Sequence, residues 1–292
     1  MATRISLKNI LYATDFSQAA EDALSYAKRL ARQYGATVHG VHVRFSASYP
    51  DVEPDAMPEF VRAAQEQAKI EEELLHKLLE DVPHEVSVCA GELWPTILDI
   101  VRRRTIDLIV IGTRGRTGVE KVLLGSVAEE IFRSSPCPVL TVGPHLAKDT
   151  KRHVEMKEIL YATDFTLESL SALPYALSLA QENHARLTVL HVLGEQETGE
   201  QIQPKNSTES TLRQLHELAP AEASFSGEIN FRVEQGPAAE KILEVATVIG
   251  ADLIVLGVRG VSGHMVSTTH LFRPTAHRIV TRAECPVLTV RG

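Results

Sequence analysis

The sequence has little of what defines several classes of protein. Only 5% of its residues are aromatic, and its three cysteines (Cys89, Cys137 and Cys285) show no CxxC spacing. A disulfide framework is not expected, and we predict reduced, buried thiols. Apolar runs are short, such as residues 108 to 111, whereas a membrane span needs about 20 apolar residues. We predict no membrane association and, because the amino terminus lacks a secretory signal pattern, a cytoplasmic protein.

Basic charge is also scarce, since 30 Lys and Arg face 38 Asp and Glu and the net charge is −8. Nucleic-acid binding normally requires a basic surface, so DNA and RNA are not expected partners. Two common nucleotide motifs are absent: there is no GxxxxGK(S/T) P-loop, and Asp15-Phe16-Ser17 stands where a dinucleotide fold has GxGxxG. His39 and His42 should lie on opposite faces of a strand, and we predict no metal site.

What the sequence does have is an internal repeat. Its 292 residues suit two domains of about 150 residues each. The repeated segments are KNILYATDFS (8 to 17) with KEILYATDFT (157 to 166), DLIVIGTRG (107 to 115) with DLIVLGVRG (252 to 260), and CPVLTV (137 to 142) with CPVLTV (285 to 290). We predict duplicated domains at residues 1–146 and 155–292, joined by a linker within residues 143 to 156.

Within each copy, short β-rich runs alternate with amphipathic helical runs, which is typical of a parallel α/β sheet. The strands of the first copy are predicted at residues 8 to 14, 37 to 43, 84 to 89, 107 to 112 and 138 to 143. Helices are predicted from the Ser17 cap to 34, from 58 to 81, from about 94 to 103 and from 124 to 134. The second copy repeats this order, with a shortened helix near residues 208 to 219.

A glycine-rich loop follows the buried fourth strand of the first copy. Gly112 and Gly115 are followed, after nine intervening residues, by Gly125 and Ser126 at the start of a predicted helix. Glycines let backbone N–H groups approach phosphate oxygens, and a helix N-terminus adds free donors and a favourable dipole. This spacing favours a phosphate-binding loop over an ordinary strand-to-helix turn.

The glycine pattern, the ATDFS segment and the terminal CPVLTV resemble the universal stress protein family across essentially the whole chain, in two copies. The resemblance implies two doubly wound α/β domains of the adenine nucleotide alpha hydrolase type, each with a five-stranded parallel sheet in the order 3-2-1-4-5. It also implies ATP as the ligand, alone or with Mg²⁺. In that order strands one and four open a crevice at their carboxyl ends, so Asp15 and Gly112 should meet there.

The resemblance also assigns roles to residues of the first copy. Ala13 and Asp15 lie at the adenosine end, and Val43 offers its backbone to the adenine. The residues expected around the ribose and phosphates are Gly112, Arg114, Gly115, Gly125, Ser126 and Val127. Two alternatives stay open: Asp15 can serve only to start the following helix, and Arg114 can be a solvated loop residue.

The second copy departs from the pattern at the loop. Gly257 and Gly260 are retained, but after nine intervening residues His270 and Leu271 stand instead of glycine and serine. Alignment on the following helix instead puts Arg273 and Pro274 there. In either alignment a His270 or Arg273 side chain would occupy the phosphate space, and Pro274 would remove a backbone donor. We therefore expect no ATP in the second domain.

The functional hypothesis is a nucleotide-dependent regulator in which ATP in the first domain changes the surface shown to an unidentified protein partner. A slow ATPase is an alternative, with Asp15 or Glu120 orienting water. A scaffold without ligands is another. The two fifth strands are predicted sheet edges, which can pair within the chain as a pseudo-dimer or between chains as a homodimer.

Overall fold

The computed structural model describes residues 4–45, 57–113, 126–143, 155–194, 204–218, 225, 227–259 and 275–292. Within them, strands alternate with helices in two successive copies of the same order. Most of the predicted linker and most of the predicted glycine-rich loop lie outside the described residues. Over the described ranges, no helix is both long enough and apolar enough to cross a bilayer.

The first copy has the predicted elements. Its strands are β1 (Asn9–Ala13), β2 (Thr37–Phe45), β3 (His84–Gly91), β4 (Leu108–Gly112) and β5 (Val139–Val142), and its helices are α1 (Gln18–Tyr34), α2 (Met57–Leu79), α3 (Leu93–Arg103) and α4 (Ser126–Ser134). Ser17 caps α1 by accepting a hydrogen bond from the Ala20 N–H, and Gly35 ends the helix at φ 66°. The predicted strands differ from these bounds by two residues at most.

The second copy follows the same order with one additional break. Its strands are β6 (Glu158–Ala162), β7 (Arg186–Leu193), β8 (Ile229–Gln235), β9 (Leu253–Val258) and β10 (Val287–Arg291), and its helices are α5 (Leu167–Ser171), α6 (Leu173–Asn183), α7 (Pro204–Glu217), α8 (Ala238–Ile249) and α9 (Thr275–Arg282). The shortened helix predicted near residues 208 to 219 is α7, which begins earlier, at Pro204.

The break between α5 and α6 has a local cause. Pro174 lies in the first turn of α6, and proline has no N–H to continue the α-helical hydrogen-bond series. The matching residue of the uninterrupted helix α1 is Ser25, at the same distance from the repeated ATDF segment. One substitution between the copies therefore accounts for two short helices in place of one long helix.

The strands form one sheet in the order β3-β2-β1-β4-β5-β10-β9-β6-β7-β8. Neighbouring strands are parallel within each copy. The predicted order 3-2-1-4-5 is therefore confirmed in both halves. Only the central pair, β5 with β10, is antiparallel among the described strands.

The two halves meet through their fifth strands, β5 and β10. The sequence predicted this pairing within the chain as one of two possibilities. Thr141 Oγ1 donates to the Val287 carbonyl at 3.0 Å, and Thr289 Oγ1 donates to the Val139 carbonyl at 3.2 Å. These reciprocal bonds give the junction an approximate two-fold symmetry. Beside it, Ser178 Oγ of α6 accepts the Ile5 N–H at 3.0 Å, and apolar residues of α1 and α6 belong to one continuous core.

Candidate functional site

Strands β1 and β4 are neighbours and end at the same edge of the sheet. The connections that follow them leave on opposite faces. Ala13, the last residue of β1, pairs with Ile111, and Gly112 ends β4 one residue later. Side chains of α1, which follows β1, lie in one core, whereas Ala128 of α4, which follows β4, lies in the core on the other face. This reversal opens a crevice at the carboxyl ends of β1 and β4, where open α/β sheets hold ligands.

The turn after β1 is built by hydrogen bonds from side chains to the backbone. Thr14 Oγ1 accepts the Phe16 N–H at 2.9 Å, and Asp15 Oδ1 accepts the Ser17 N–H at 3.0 Å. Phe16 is held at φ 60°, a left-handed conformation that is uncommon for an aromatic residue. Asp15 therefore helps to start the following helix, which is one of the two roles predicted for it.

His42 supports this turn from strand β2. Its Nδ1 lies 2.8 Å from the Thr14 carbonyl oxygen and therefore donates, and its ring centroid is 4.7 Å from that of Phe16. On its other side, Nε2 lies 3.9 Å from Glu71 Oε2, and the Arg44 Nε is 3.5 Å from the same oxygen. These contacts fix the turn relative to β2 and α2. In the sequence, His42 was considered only as a metal ligand. Its recurrence as His191 in the second copy could have indicated this structural role.

Val43 lies where β2 continues past the end of β1. The Thr37 N–H donates to the backbone carbonyl of Lys8, just before β1. The Val38 N–H donates to the backbone carbonyl of Pro83, just before β3. Because backbone groups alternate direction along a strand, the N–H and C=O of odd-numbered residues face β1. The pairing with β1 ends at Val41, whose carbonyl accepts the Thr14 N–H at 3.0 Å. The backbone edge of Val43 therefore faces the crevice.

Gly112 is required by packing. A Cβ added there would lie 2.6 Å from the backbone carbon and oxygen of Ala19 in the first turn of α1, a distance that real Cβ atoms do not show. Gly112 therefore packs against the start of α1, which follows Asp15 closely in sequence. A crevice between β1 and β4 predicts this proximity. Its lack of a side chain has a structural explanation independent of any ligand.

Thr113 follows Gly112 and is another site residue that the sequence pattern did not indicate. Its side chain is almost fully buried, and its Oγ1 has no hydrogen-bond partner among the residues that the structure describes. The matching residue of the second copy is Val258, which needs no such partner. A buried hydroxyl is normally hydrogen-bonded, so this position calls for a polar neighbour.

The remaining predicted site residues belong to the loop between β4 and α4. Arg114, Gly115 and Gly125 lie outside the described residues. Ser126 and Val127 are the first residues of α4, so the helix begins where the glycine spacing predicts it. Their side chains are outside the described part of the chain.

The second copy retains the turn of the first. Phe165 is held at φ 62°, and the His191 Nδ1 donates to the Thr163 carbonyl at 2.9 Å. Asp164 Oδ1 accepts the Thr166 N–H at 3.1 Å. Burial alone would raise the pKa of Asp164, but hydrogen bonds from Thr166 and Ser169 outweigh it and lower that pKa. The turn after the first strand is therefore preserved in both copies.

The end of the crevice where the sequence predicts phosphates differs between the copies. Glu168 takes the place of Ala19 in the first turn of α5, and its Oε1 lies 3.5 Å from the Arg259 Nε. Arg259 follows Gly257 as Arg114 follows Gly112. A carboxylate of the chain is thus paired with the second copy's counterpart of a predicted phosphate-binding arginine. His270, Leu271, Arg273 and Pro274 lie outside the described residues.

Metal ligands do not gather in the described part of the crevice. In the described ranges, no group of three or more His, Cys, Asp and Glu residues could hold a metal ion. His39 and His42 lie on opposite faces of β2, as predicted, because His39 Nε2 contacts Asn9 Oδ1 at 3.1 Å while His42 contacts Phe16. Burial lowers the pKa of His39 below its ordinary value.

Known proteins match both halves of the chain. The model of the universal stress protein family matches residues 6–143 and again residues 155–291. Universal stress protein MJ0577 of Methanocaldococcus jannaschii is 32% identical over 155 residues, which cover 47% of this chain and 96% of that protein. Universal stress protein MJ0531 of the same organism is 29% identical over 138 residues, which cover 46% of this chain and 81% of that protein.

A solved structure matches both copies at once. The universal stress protein from Archaeoglobus fulgidus DSM 4304 has a TM-score of 0.69 and 21% identity, and the match covers 97% of this chain and 98% of that one. At this identity the likeness shows the fold. The fold and the crevice define an α/β protein of the adenine nucleotide alpha hydrolase type. This chain belongs to the universal stress protein family, as a tandem two-domain member.

Proposed function

We propose that the first domain binds ATP in the crevice between β1 and β4 and acts as a nucleotide-dependent regulator in the cytoplasm. The observation that carries this proposal is the edge of β2, where Val43 directs its backbone groups past the end of β1. Those groups suit the alternating donors and acceptors of adenine. Ala13 and Asp15 lie beside that edge, at the end of β1 and in the following turn.

In this proposal the loop after β4 holds the phosphates. Gly112, Arg114, Gly115 and Gly125 supply backbone N–H groups and one positive charge, and the N-terminus of α4 supplies Ser126, Val127 and a favourable dipole. The Thr113 hydroxyl has no partner among the described residues, which favours a polar neighbour at this end. Mg²⁺, when it accompanies ATP, would be bound through the phosphates and water, because magnesium usually retains several waters and few protein ligands.

The second domain is proposed to bind no ATP. Glu168 places a carboxylate beside Arg259, at the end of the crevice where phosphates would carry the same negative charge. Val258 replaces Thr113 and removes its hydroxyl. The second copy also lacks the glycine and serine found at the start of α4 in the first copy. The second domain would then act as a structural or regulatory partner of the first.

A regulator is favoured over a slow ATPase because of Asp15. Its carboxylate accepts the Ser17 N–H and belongs to the adenosine end, whereas water activation needs a carboxylate at the γ-phosphate. Glu120, the other residue considered for this role, lies outside the described residues. A ligand-free scaffold would not explain why the first copy keeps its whole glycine pattern.

Partner binding is proposed to use a surface other than the fifth strands. β5 and β10 already pair with each other inside the chain, so neither offers a free edge for a homodimer. The outer strands of the continuous sheet are β3 and β8. A homodimer, or a complex with another protein, would require one of these edges or a helical face.

Calorimetric titration of ATP into the wild type, Gly125→Arg and Arg273→Ala tests the proposal. Arg273 is the residue that aligns with Gly125 when the following helices are matched. We expect binding by the wild type and Arg273→Ala, and none by Gly125→Arg, whose side chain would fill the phosphate space. Absence of wild-type binding, or unchanged binding by Gly125→Arg, would overturn the proposal.

A phosphate-release assay separates the regulator from the ATPase. A regulator should release less than one phosphate per bound ATP over the time of the titration. Multiple turnovers that disappear in Asp15→Asn or Glu120→Gln would establish the ATPase instead. ADP, AMP and cAMP titrated in parallel identify the preferred adenine nucleotide.

A further inference from the structure

Two histidine rings meet at the opposite edge of the sheet from the nucleotide crevice. His76 lies in the last turn of α2, and His84 is the first residue of β3. The His76 Nδ1 is 3.1 Å from the His84 Nε2, and the ring centroids are 5.2 Å apart. His76 is exposed and His84 is partly exposed, so the pair is open to solvent.

The orientation of His84 is set by the backbone. Its Nδ1 lies 2.8 Å from the Val82 carbonyl oxygen, which can only accept, so this nitrogen carries the proton. In the neutral ring Nε2 then presents a lone pair towards His76. A metal-binding histidine usually has this arrangement, with its second nitrogen donating to a carbonyl or carboxylate that fixes the ring.

The separation of the two nitrogens suits a shared metal ion. With metal–nitrogen bonds of about 2.0–2.1 Å, two cis ligands lie about 2.9 Å apart at a right angle and about 3.4 Å apart at the tetrahedral angle. The observed 3.1 Å falls between these values. In the metal-free protein this contact is a hydrogen bond from the His76 Nδ1–H to the His84 Nε2. Metal binding would replace that bond: the His76 proton would move to Nε2, and a small rotation of the exposed His76 ring would direct the Nδ1 lone pair at the ion.

The second domain has no matching histidine pair among its described residues. His216 lies in the last turn of α7, as His76 does in α2, but Ile229 begins β8 where His84 begins β3. The His216 ring packs against Phe231 instead, with centroids 4.1 Å apart. A solitary histidine on the same kind of helix turn is therefore available as an internal control.

We propose that His76 and His84 form a binding site for a divalent transition metal ion, with water completing its coordination. Imidazole ligands suit Zn²⁺, Ni²⁺ and Cu²⁺, and among these Cu²⁺ binds nitrogen sites most tightly. Two protein ligands predict an exchangeable ion rather than a permanent structural one. The ion would connect the end of α2 to the start of β3.

Cu²⁺ is the probe for the test. The full-length wild type, His76→Ala, His84→Ala and His216→Ala are titrated with Cu²⁺ alone, and the nitrogen hyperfine structure of the bound ion is read by electron paramagnetic resonance. We expect each of the first two variants to lose the tightest site or to bind it at least about tenfold more weakly, since even outer-shell changes cost 10–100-fold. His216→Ala should match the wild type.

Circular dichroism without metal shows whether each variant is folded, and the two histidine variants serve as independent tests of one site. Wild-type affinity in either His76→Ala or His84→Ala would overturn the proposal. So would a tightest site with a single nitrogen ligand, or equal losses in all three variants.

Discussion

The two domains share one fold and one turn but differ in charge where phosphates would bind. Tyr12 and Tyr161 donate to the backbone carbonyls of Ala20 and Ser169, each at 2.8 Å, so the packing of the first strand on its helix is duplicated in detail. In contrast, Glu168 replaces the small Ala19 beside the crevice. Packing at this crevice is thus the same in both copies, whereas the charge beside it is not.

The first glycine of the loop illustrates this separation. A Cβ on Gly257 would lie 2.0 Å from the Glu168 carbonyl oxygen, closer still than the 2.6 Å found for Gly112 and Ala19. Both copies therefore keep this glycine for packing, whether or not they bind a nucleotide. The two copies differ in sequence later in the loop, where Gly125 and Ser126 have no glycine and serine counterparts.

The largest effect is expected from exchanging the helix break between the copies. Ser25 is exposed in the interior of α1, so Ser25→Pro changes the backbone without disturbing the core. We expect a loss of about 3 kcal/mol or more in the free energy of unfolding, because a hydrogen bond is removed and the ring clashes with the preceding turn. Urea denaturation measures it.

Ser25→Ala is the matched control, and it should leave stability unchanged within about 0.5 kcal/mol. A similar small loss in Ser25→Pro would mean that α1 tolerates the same break as α5 and α6, and that Pro174 does not explain the difference.

Adding a methyl group to either crevice glycine should have the next largest effect. Gly112→Ala and Gly257→Ala each place Cβ against backbone atoms, which we expect to cost about 1–3 kcal/mol, with Gly257→Ala the worse of the two. Gly194→Ala is the control, because nothing lies within 4 Å of its added Cβ. Thermal or urea unfolding that ranks Gly194→Ala with the other two would contradict the packing explanation.

The charge difference at the helix start should have a smaller effect, and it acts on the nucleotide. In Ala19→Glu the first domain acquires the carboxylate of the second, and repulsion of the phosphates by about 1 kcal/mol would weaken ATP binding about fivefold. Ala19→Gln has nearly the same shape without the charge. If both variants lose affinity equally in calorimetric titration, charge is not what separates the domains.

The smallest expected effect is a difference in acid sensitivity. Burial lowers the pKa of His39, whereas Thr188 holds the matching position in β7. Because the unfolded chain binds a proton at His39 more readily than the folded chain, stability should fall as the pH drops below about 6.5.

His39→Thr should remove part of that loss. The comparison is the change in unfolding free energy between pH 7 and pH 5 for the wild type and the variant, which cancels the contributions of the other histidines. Equal changes in both proteins would show that His39 does not contribute to acid sensitivity.

Much of the fold was predictable because the repeat fixes its limits. DLIVIG is apolar on both faces and could only be a buried strand, and Ser17 and Gly35 mark the ends of α1 by their capping chemistry. The break at Pro174 was missed, because proline is tolerated in a first helical turn and the sequence does not say whether a new helix begins there.

The site was predictable where it depends on strand ends and less so where it depends on contacts between distant segments. Ala13, Val43 and Gly112 lie at the carboxyl edge of the sheet because the strand order requires it. The bond from His42 to Thr14, the approach of Gly112 to Ala19 and the pairing of Glu168 with Arg259 join elements that no local pattern connects. The pairing of His76 with His84 was missed for the same reason.

The number of nucleotides bound by one chain tests the asymmetry of the two domains most directly. Native mass spectrometry of the full-length protein with saturating ATP should show one ATP per chain, and Gly125→Arg should show none. Two ATP per chain, or one ATP retained by Gly125→Arg, would contradict the assignment of nucleotide binding to the first domain alone.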